Sequence, residues 1–353
     1  MASFRTGVVE EIVEKAAGLQ RLRVRVTGSI RSAVLFTRFA PPAAVGDRVV
    51  LNTTATELEL GSGGEDLVVW NLEHESYEAD AGGHIMKLRY TPLQTEVPAI
   101  EAPESPHHDA MRAAISLAGM PVLAASLHSQ LLPVVVGLRL LRPGARIIYV
   151  MTDGGALDAS LSDTTRRLRE LGWVQAVITV GHAVGGDLEA VNVFSGLLAA
   201  RAVARGDVAI VGMAPGVVGT ATAFGTTALE MGITLNATAS LGGRPVAVVR
   251  MSSGDDRDRH AGVSHHSETA LLRVALVRAD VPVPAGYTSG LDEIARFHRV
   301  VEVDSDAVLG ELEAAEELGL VPRHMGRGPE DDRLFFLAAG AAGVHAASYL
   351  EEG

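Results

Sequence analysis

The residues best equipped for chemistry sit where short apolar runs end. Leu127 is followed by His128-Ser129-Gln130, Met151 by Thr152-Asp153-Gly154-Gly155, and Val180 by Gly181-His182-Ala183-Val184-Gly185-Gly186-Asp187. Met213-Ala214-Pro215-Gly216 and Met251-Ser252-Ser253-Gly254 repeat the pattern. Imidazoles and carboxylates so placed can act as general acids and bases, or as N and O donors to a divalent metal. If the runs are parallel strands, their carboxyl ends share one edge, and His128, Asp153 and His182 can converge there despite their separation in sequence. Any single loop of this kind also fits an ordinary turn, because Gly, Ser, Asp and His occupy turns for structural reasons.

Two further runs sharpen the expectation. Residues 212–227 read Gly-Met-Ala-Pro-Gly-Val-Val-Gly-Thr-Ala-Thr-Ala-Phe-Gly-Thr-Thr, after an apolar strand and before Ala228–Met231. Exposed N–H groups and hydroxyls entering a helix suit a phosphate or carboxylate, with Gly216, Gly219, Thr220, Thr222, Gly225 and Thr226 as the contacts. The run lacks the lysine of one phosphate-loop motif and the glycine spacing of the other, so a tight structural crossover is the competing reading. In the second run, Ser264 can cap a helix with His265 and His266 in its first turn. The helix dipole there disfavours protonation and leaves neutral imidazoles, fit for general base or metal ligand. Neighbouring helical residues point ~100° apart, so the pair can share one role only if the site lies along the helix axis. His128, Asp153, His182, His265 and His266 are together donors enough for a divalent metal, though no local ligand spacing such as H-E-x-x-H is present. Asp255, Asp256 and Asp258 miss the calcium-loop spacing and read as a solvated turn. No G-x-S-x-G or S-x-x-K pair is present, and the absence of cysteine excludes thiolate chemistry and disulfides.

The elements that must position these residues follow from the apolar rhythm. A chain of 353 residues exceeds one ordinary domain of roughly 150. Short strands at 6–13, 19–26, 32–38, 48–54 and 66–71, broken by Gly28, Pro41-Pro42, Gly46-Asp47 and Gly61-Ser62-Gly63-Gly64, predict a small antiparallel barrel over residues 1–98. Pro92, Pro98, Pro103 and Pro106 mark a semi-rigid connector, and 99–119 reads as linker and first helix. From 120 to 353 strands alternate with helical segments, predicting a mainly parallel α/β sheet with helices on both faces. Strands are expected at 122–127, 146–151, 176–180, 208–212, 246–251, 281–284 and 300–303, and helices at 161–171 and 188–204, the latter capped by Asp187.

Composition bounds the partners. Net charge is −13 with 47% hydrophobic and 4% aromatic residues, which argues against nucleic acid or an anionic membrane as partner. A barrel carrying Arg21, Arg23, Arg25, Arg31 and Arg38 would suit nucleic acid only with more interleaved aromatics than Phe36 and Phe39. Residues 301–353 carry −9 of the charge, which reads as a solvated helical surface, and the glycine-rich middle is nearly neutral. A small anionic metabolite therefore remains admissible. No leader segment or membrane span is expected, the apolar tracts 131–141 and 335–350 falling short of the ~18 residues required, and a cytoplasmic location follows. The apolar surplus favours a homo-oligomer.

The runs Gly83-His84-Ile85-Met86-Lys87-Leu88-Arg89-Tyr90-Thr91-Pro92-Leu93-Gln94, Pro215–Thr227 and Ser264–Leu271 resemble a family of uncharacterised bacterial proteins catalogued only as a domain of unknown function. The resemblance spans nearly the whole chain and implies no activity, cofactor or residue role. It draws attention to Lys87, one of two lysines among thirty basic residues. A compact ammonium with a tunable pKa at this point is expected to face the anionic ligand beside Arg89, against the plainer reading of a surface strand lysine. Two functions fit the whole: an enzyme, or diverged enzyme, acting on a small phosphate- or carboxylate-bearing molecule at the sheet's carboxyl edge, or a non-catalytic metabolite-binding or regulatory protein whose barrel mediates oligomerisation or partner binding.

Overall fold

The structure, a computed structural model, describes residues 2–60, 63–79 and 82–350; the expected break at Gly61-Ser62 lies outside them. The chain divides into two compact units, Met1–Pro98 and Ala99–Gly353. In the first, β1 (Phe4–Ala16), β2 (Leu19–Val26), β3 (Ser29–Phe36), β4 (Arg48–Asn52), helix α1 (Thr54–Glu57) and β5 (Glu65–Asn71) follow in order. The strands close into a barrel in the order β1-β2-β3-β5-β4, with β4 pairing back onto β1. One pairing departs from the antiparallel expectation. After β3 the chain crosses to β4 beside β1 and returns as β5, so β3 and β5 run parallel. Val9, Leu22, Val24, Leu35, Leu51 and Val68 fill the barrel, and a Cβ on Gly7 would come within 2.5 Å of Val24 Cγ1. On its outside Arg21, Arg25 and Arg31 are paired with Glu65, Glu10 and Asp66. A ribbon of β6 (Ile85–Lys87) and β7 (Thr95–Val97) completes this unit.

The second unit begins with α2 (His108–Ala113), β8 (Pro121–Ala125), α3 (Leu131–Leu141), β9 (Ile147–Thr152), α4 (Asp163–Glu170) and β10 (Ala176–Thr179). It continues with β11 (Leu188–Glu189), α5 (Val193–Ala202), β12 (Val208–Met213), α6 (Glu230–Ser240), β13 (Arg244–Val248), β14 (Met251–Ser252) and β15 (Gly262–Val263). Last come α7 (His265–Thr269), β16 (Asp280–Pro284), α8 (Asp292–Phe297), β17 (Arg299–Val303), α9 (Ala307–Glu317) and α10 (Arg333–Ala347). Eight strands form one sheet in the order β11-β10-β9-β12-β8-β13-β16-β17, every pairing parallel. Side chains alternate between the faces: Leu123 and Ala125 of β8 join the core under α3, α9 and α10, whereas Val122 joins the core under α2 and α5 and Ala124 that under α6. The apolar tracts 131–141 and 335–350 are thus core helices rather than spans, and no helix among the described residues is long and apolar enough to cross a membrane. α3 and α10 cross at glycines, where a Cβ on Gly343 would lie 2.2 Å from the Val134 carbonyl oxygen.

The expected helix over 188–204 is shorter. Leu188-Glu189 instead extends the sheet beside β10, because the Glu189 carboxylate accepts bonds from Thr179 Oγ1 and the Gly185 amide at 2.7 and 2.8 Å. The helix cap is Asn192, and Asp187 is taken by Arg169 and the Val177 amide. The chain leaves β8 toward β9 on one side and β13 toward β16 on the other. Their adjacent carboxyl ends therefore bound the crevice at which open α/β sheets bind ligands.

Candidate functional site

Beyond the carboxyl end of β13 three histidines come together. β14 and β15 form a two-stranded hairpin, and the loop between them ends in a short helical turn, Asp258–His260. Ser264 follows, its amide bonded to the Arg250 carbonyl at 2.9 Å and its Oγ accepting from the His266 amide, which caps α7 as its hydroxyl type favours. The same Oγ meets His260 Nδ1 at 2.8 Å. Ring centroids lie 4.2 Å apart for His265 and His266, and 5.2 and 5.0 Å from His260. One ring nitrogen from each lies within 4.8 Å of the others, the one such group of donors among the described residues. His260 and His266 are 1% and 7% exposed, and Nε2 of both His265 and His266 is buried without a hydrogen-bond partner.

All three rings are held neutral. Burial comes first among the causes, pushing His260 down to about 3 and His266 to about 4, and it lowers His265 as well. The positive charges of Arg250, Arg257 and Arg259 add to it. The adjacent histidines were expected to share a role only along the helix axis. The turn carrying His260 adds a third ring to the pair, within 5.2 Å of each.

Beneath the histidines lies a charge knot. Asp255, expected in a solvated turn, has a side chain only 1% exposed. Arg250 and Arg257 bind its carboxylate at 2.7 and 2.8 Å, and Arg327 approaches to 3.4 Å. The Arg257 hydrogen bond, ahead of the opposing effect of burial, holds the Asp255 carboxyl well below the usual carboxylate range. Arg250 is 4% exposed, and burial lowers it to about 10 against the pull of Asp255. Beside the knot, His324 stacks on Phe335 with ring centroids 3.9 Å apart and meets Ser129 Oγ at 3.0 Å.

The other expected residues occupy the edge differently. His128 follows β8 and meets Ser162 Oγ at 2.6 Å and the Tyr149 hydroxyl at 3.5 Å; burial lowers it to about 4. Asp153 Oδ2 accepts the His182 amide at 2.8 Å, so these two meet through backbone. Next to them Thr152 Oγ1 donates to Glu230 at 2.5 Å, and burial raises the Glu230 carboxyl. The loop of Gly216, Gly219, Thr220, Thr222, Gly225 and Thr226 is closed on itself. The Thr220 amide bonds the Gly225 carbonyl at 2.8 Å, the Gly225 amide bonds Thr222 Oγ1 at 3.1 Å, and Thr226 Oγ1 accepts from Ala228. The amides of Thr220, Gly225 and Thr226 and the hydroxyls of Thr220, Thr222 and Thr226 are thus engaged locally, and α6 starts beyond a further turn. The loop's contribution to the histidines is Gly219: a Cβ there would stand 2.8 Å from His266 Cε1 and 3.1 Å from Nε2.

Lys87 and Arg89 belong to the N-terminal unit. Lys87, at the end of β6, is 1% exposed, which corrects the plainer reading of a surface strand lysine. Arg89 is exposed with its guanidinium on the Met86 carbonyl at 3.2 Å. Reading the sequence by strand ends left out His260, Arg250 and Asp255. The usable signal for His260 was its position four residues before Ser264, within the same polar run.

A family model described as a protein of unknown function (DUF3866) matches residues 32–343. No curated protein and no solved structure matches the chain.

Proposed function

The chain belongs to the family described as a protein of unknown function (DUF3866), and we propose from its own residues that it is an enzyme acting by acid–base chemistry on a small phosphate- or carboxylate-bearing molecule. The site lies beyond the carboxyl ends of β8 and β13. The observation that carries this reading is the pair of buried, unpartnered Nε2 atoms of His265 and His266, on rings held neutral beside Gly219. A neutral imidazole is the form that accepts a proton near pH 7. Arg250, Arg257 and Arg327 gather on the carboxylate of Asp255, and Arg327 also lies 3.7 Å from the buried Asp332, so three guanidinium groups meet two carboxylates and the remaining positive charge favours an anionic ligand.

Thermal unfolding with inorganic phosphate or acetate, against chloride at equal ionic strength, tests the reading. A specific ligand at a hundredfold its Kd stabilises by about 2.7 kcal/mol, so one of the two anions is expected to raise the midpoint where chloride does not. Turnover of p-nitrophenyl phosphate or p-nitrophenyl acetate should be lost in His265→Gln and His266→Gln with the midpoint unchanged. If neither anion stabilises the wild type beyond chloride, the reading is wrong.

A further inference from the structure

The histidine cluster poses a question that acid–base chemistry alone leaves open. Buried polar atoms in folded proteins nearly always have partners, and each one lacking a partner costs about 1–3 kcal/mol. Here two such atoms, His265 Nε2 and His266 Nε2, belong to rings whose centroids lie 4.2 Å apart, and a third imidazole stands 5.0–5.2 Å from both. No carboxylate belongs to the group, so hydrogen bonding among charged forms does not explain the arrangement.

We infer that His260, His265 and His266 bind one divalent d-block ion of the zinc class through three imidazole nitrogens. This names the cofactor of the site in which the proposed function places catalysis; its role rests on that reading, its affinity does not. Three observations point the same way. First, His260 Nδ1 lies 2.8 Å from Ser264 Oγ; with Nδ1–H as the donor, the bond fixes that ring and leaves Nε2 for a metal, as an outer-shell partner does for a ligating histidine. Second, Gly219 stands where any Cβ would press on His266 Cε1 and Nε2 at 2.8 and 3.1 Å, so the approach to the cluster is kept clear by residue type. Third, the donor set is chemically consistent: neutral imidazole suits zinc, copper, iron and nickel and discriminates against magnesium and calcium, which prefer oxygen.

The geometry also states what binding requires. Zinc–nitrogen bonds of ~2.1 Å in a tetrahedron place ligand atoms roughly 3.4 Å apart. The nitrogens now within 4.8 Å of one another must therefore draw inward, each by about an ångström or less at that spacing. Three protein ligands leave a fourth position, the pattern of a site open to solvent or substrate. The nearby Arg250 and Arg259 favour an anion in that position.

Protein stripped with a chelator and titrated with Zn2+ against a chromophoric competitor should take up one equivalent, and Co2+ should give the intense visible bands of four-coordinate cobalt. His260→Ala, His265→Ala and His266→Ala should each weaken binding by at least about a hundredfold, and Ser264→Ala by roughly 10- to 100-fold. His266→Cys, which restores a ligand, should bind cobalt again and add a sulfur-to-cobalt charge-transfer band, a result that no loss of folding can mimic. Absence of stoichiometric zinc and cobalt binding by the wild type overturns the inference, as does unchanged affinity in the three alanine variants. Cobalt binding with the stated histidine dependence but no response to inorganic phosphate or acetate supports the metal site and overturns the proposed function. A specific anion response without metal does the reverse.

Discussion

Asp255→Asn is the substitution with the largest effect to be worked from the structure, because three guanidinium groups converge on its carboxylate and, among the described residues, only Arg327 has a second one, Asp332, within reach. The side chains of Asp255 and Arg250 are 1% and 4% exposed, whereas Arg257 and Arg327 are 36% and 22% exposed. Removing one partner of a buried pair costs about 3–5 kcal/mol, since the remaining charge stays desolvated. The partly solvated Arg257 and Arg327 add little, exposed pairs being worth about 1 kcal/mol or less. Asp255→Asn is therefore expected to cost about 3–5 kcal/mol, nearly all of it through Arg250. Arg250→Met leaves Asp255 with Arg257 at 2.8 Å and should cost no more than about 2 kcal/mol, because an apolar replacement of a buried ion is often near neutral. The double variant should then be more stable than Asp255→Asn alone.

Urea unfolding followed by tryptophan fluorescence resolves this. Trp173 packs against the core under α3, α9 and α10, and Trp70 of the barrel can be silenced by Trp70→Phe, so the remaining signal reports the second unit. A cost under about 1 kcal/mol for Asp255→Asn, or a double variant no more stable than that single one, would refute the reasoning. Acid adds an independent sign. A carboxyl held below its ordinary value contributes stability that is present above the unfolded pKa and lost as pH falls through the folded one. The wild type should accordingly keep this contribution into strong acid, and Asp255→Asn should lack that part of the acid limb.

Three further outcomes follow from the same packing. His324, 3% exposed, is pushed by burial from 6.5 to about 4, so it stays neutral in the fold while the unfolded chain protonates. Stability is then lost as pH falls between those values, by up to roughly 3 kcal/mol at ~1.4 kcal/mol per pH unit. Urea midpoints at pH 7 and 4.5 should differ less in His324→Phe than in the wild type, and an equal difference would discount His324. Gly343→Ala places a methyl 2.2 Å from the Val134 carbonyl oxygen and should destabilise by about 1–3 kcal/mol or more, read as a lower melting temperature; an unchanged one would mean that α10 shifts freely on α3. Gly219→Ala, on an exposed loop, should leave stability within about 1 kcal/mol and yet weaken cobalt binding roughly tenfold by crowding His266; wild-type affinity in that variant would show that the loop simply yields.

Much of the fold was legible because the strands are apolar runs punctuated by glycine and proline. The strands expected at 176–180 and 208–212 are β10 and β12 to within a residue, since a buried parallel strand needs a continuous aliphatic run and little else does. The failures came where a tertiary contact overrode local pattern. Leu188-Glu189 has helical spacing with the residues after it, but the Thr179 hydroxyl draws Glu189 into the sheet. A two-residue strand of that kind leaves no periodic signal. The overrun of β13 mattered more for the site. Reading the strand through to Met251 buried Arg250 inside it, whereas the strand stops at Val248 and delivers Arg250 to the edge. Ser264 was legible as a cap because its chemistry is local; its second bond, to His260, is not.

The distribution of charge makes the same point in space. Along the sequence, the segment 301–353 holds only Arg323, Arg327 and Arg333 against twelve acidic residues. Many of those acids face solvent, as Glu311, Glu313, Glu316 and Glu317 do on α9. Yet Arg327 is sent back to Asp255, so the most acidic part of the chain supplies a cation to the site. A nearly neutral middle segment therefore understates the field at the histidines. Within a Debye length of ~8 Å at physiological salt, a small anion would meet three guanidinium groups around the carboxylates of Asp255 and Asp332 rather than the protein's net −13. A polyanion, which must lie along the whole surface, meets the opposite. On the proposed reading this asymmetry, set by folding rather than by composition, is what lets an acidic protein select a small phosphate or carboxylate and repel larger relatives of the same charge.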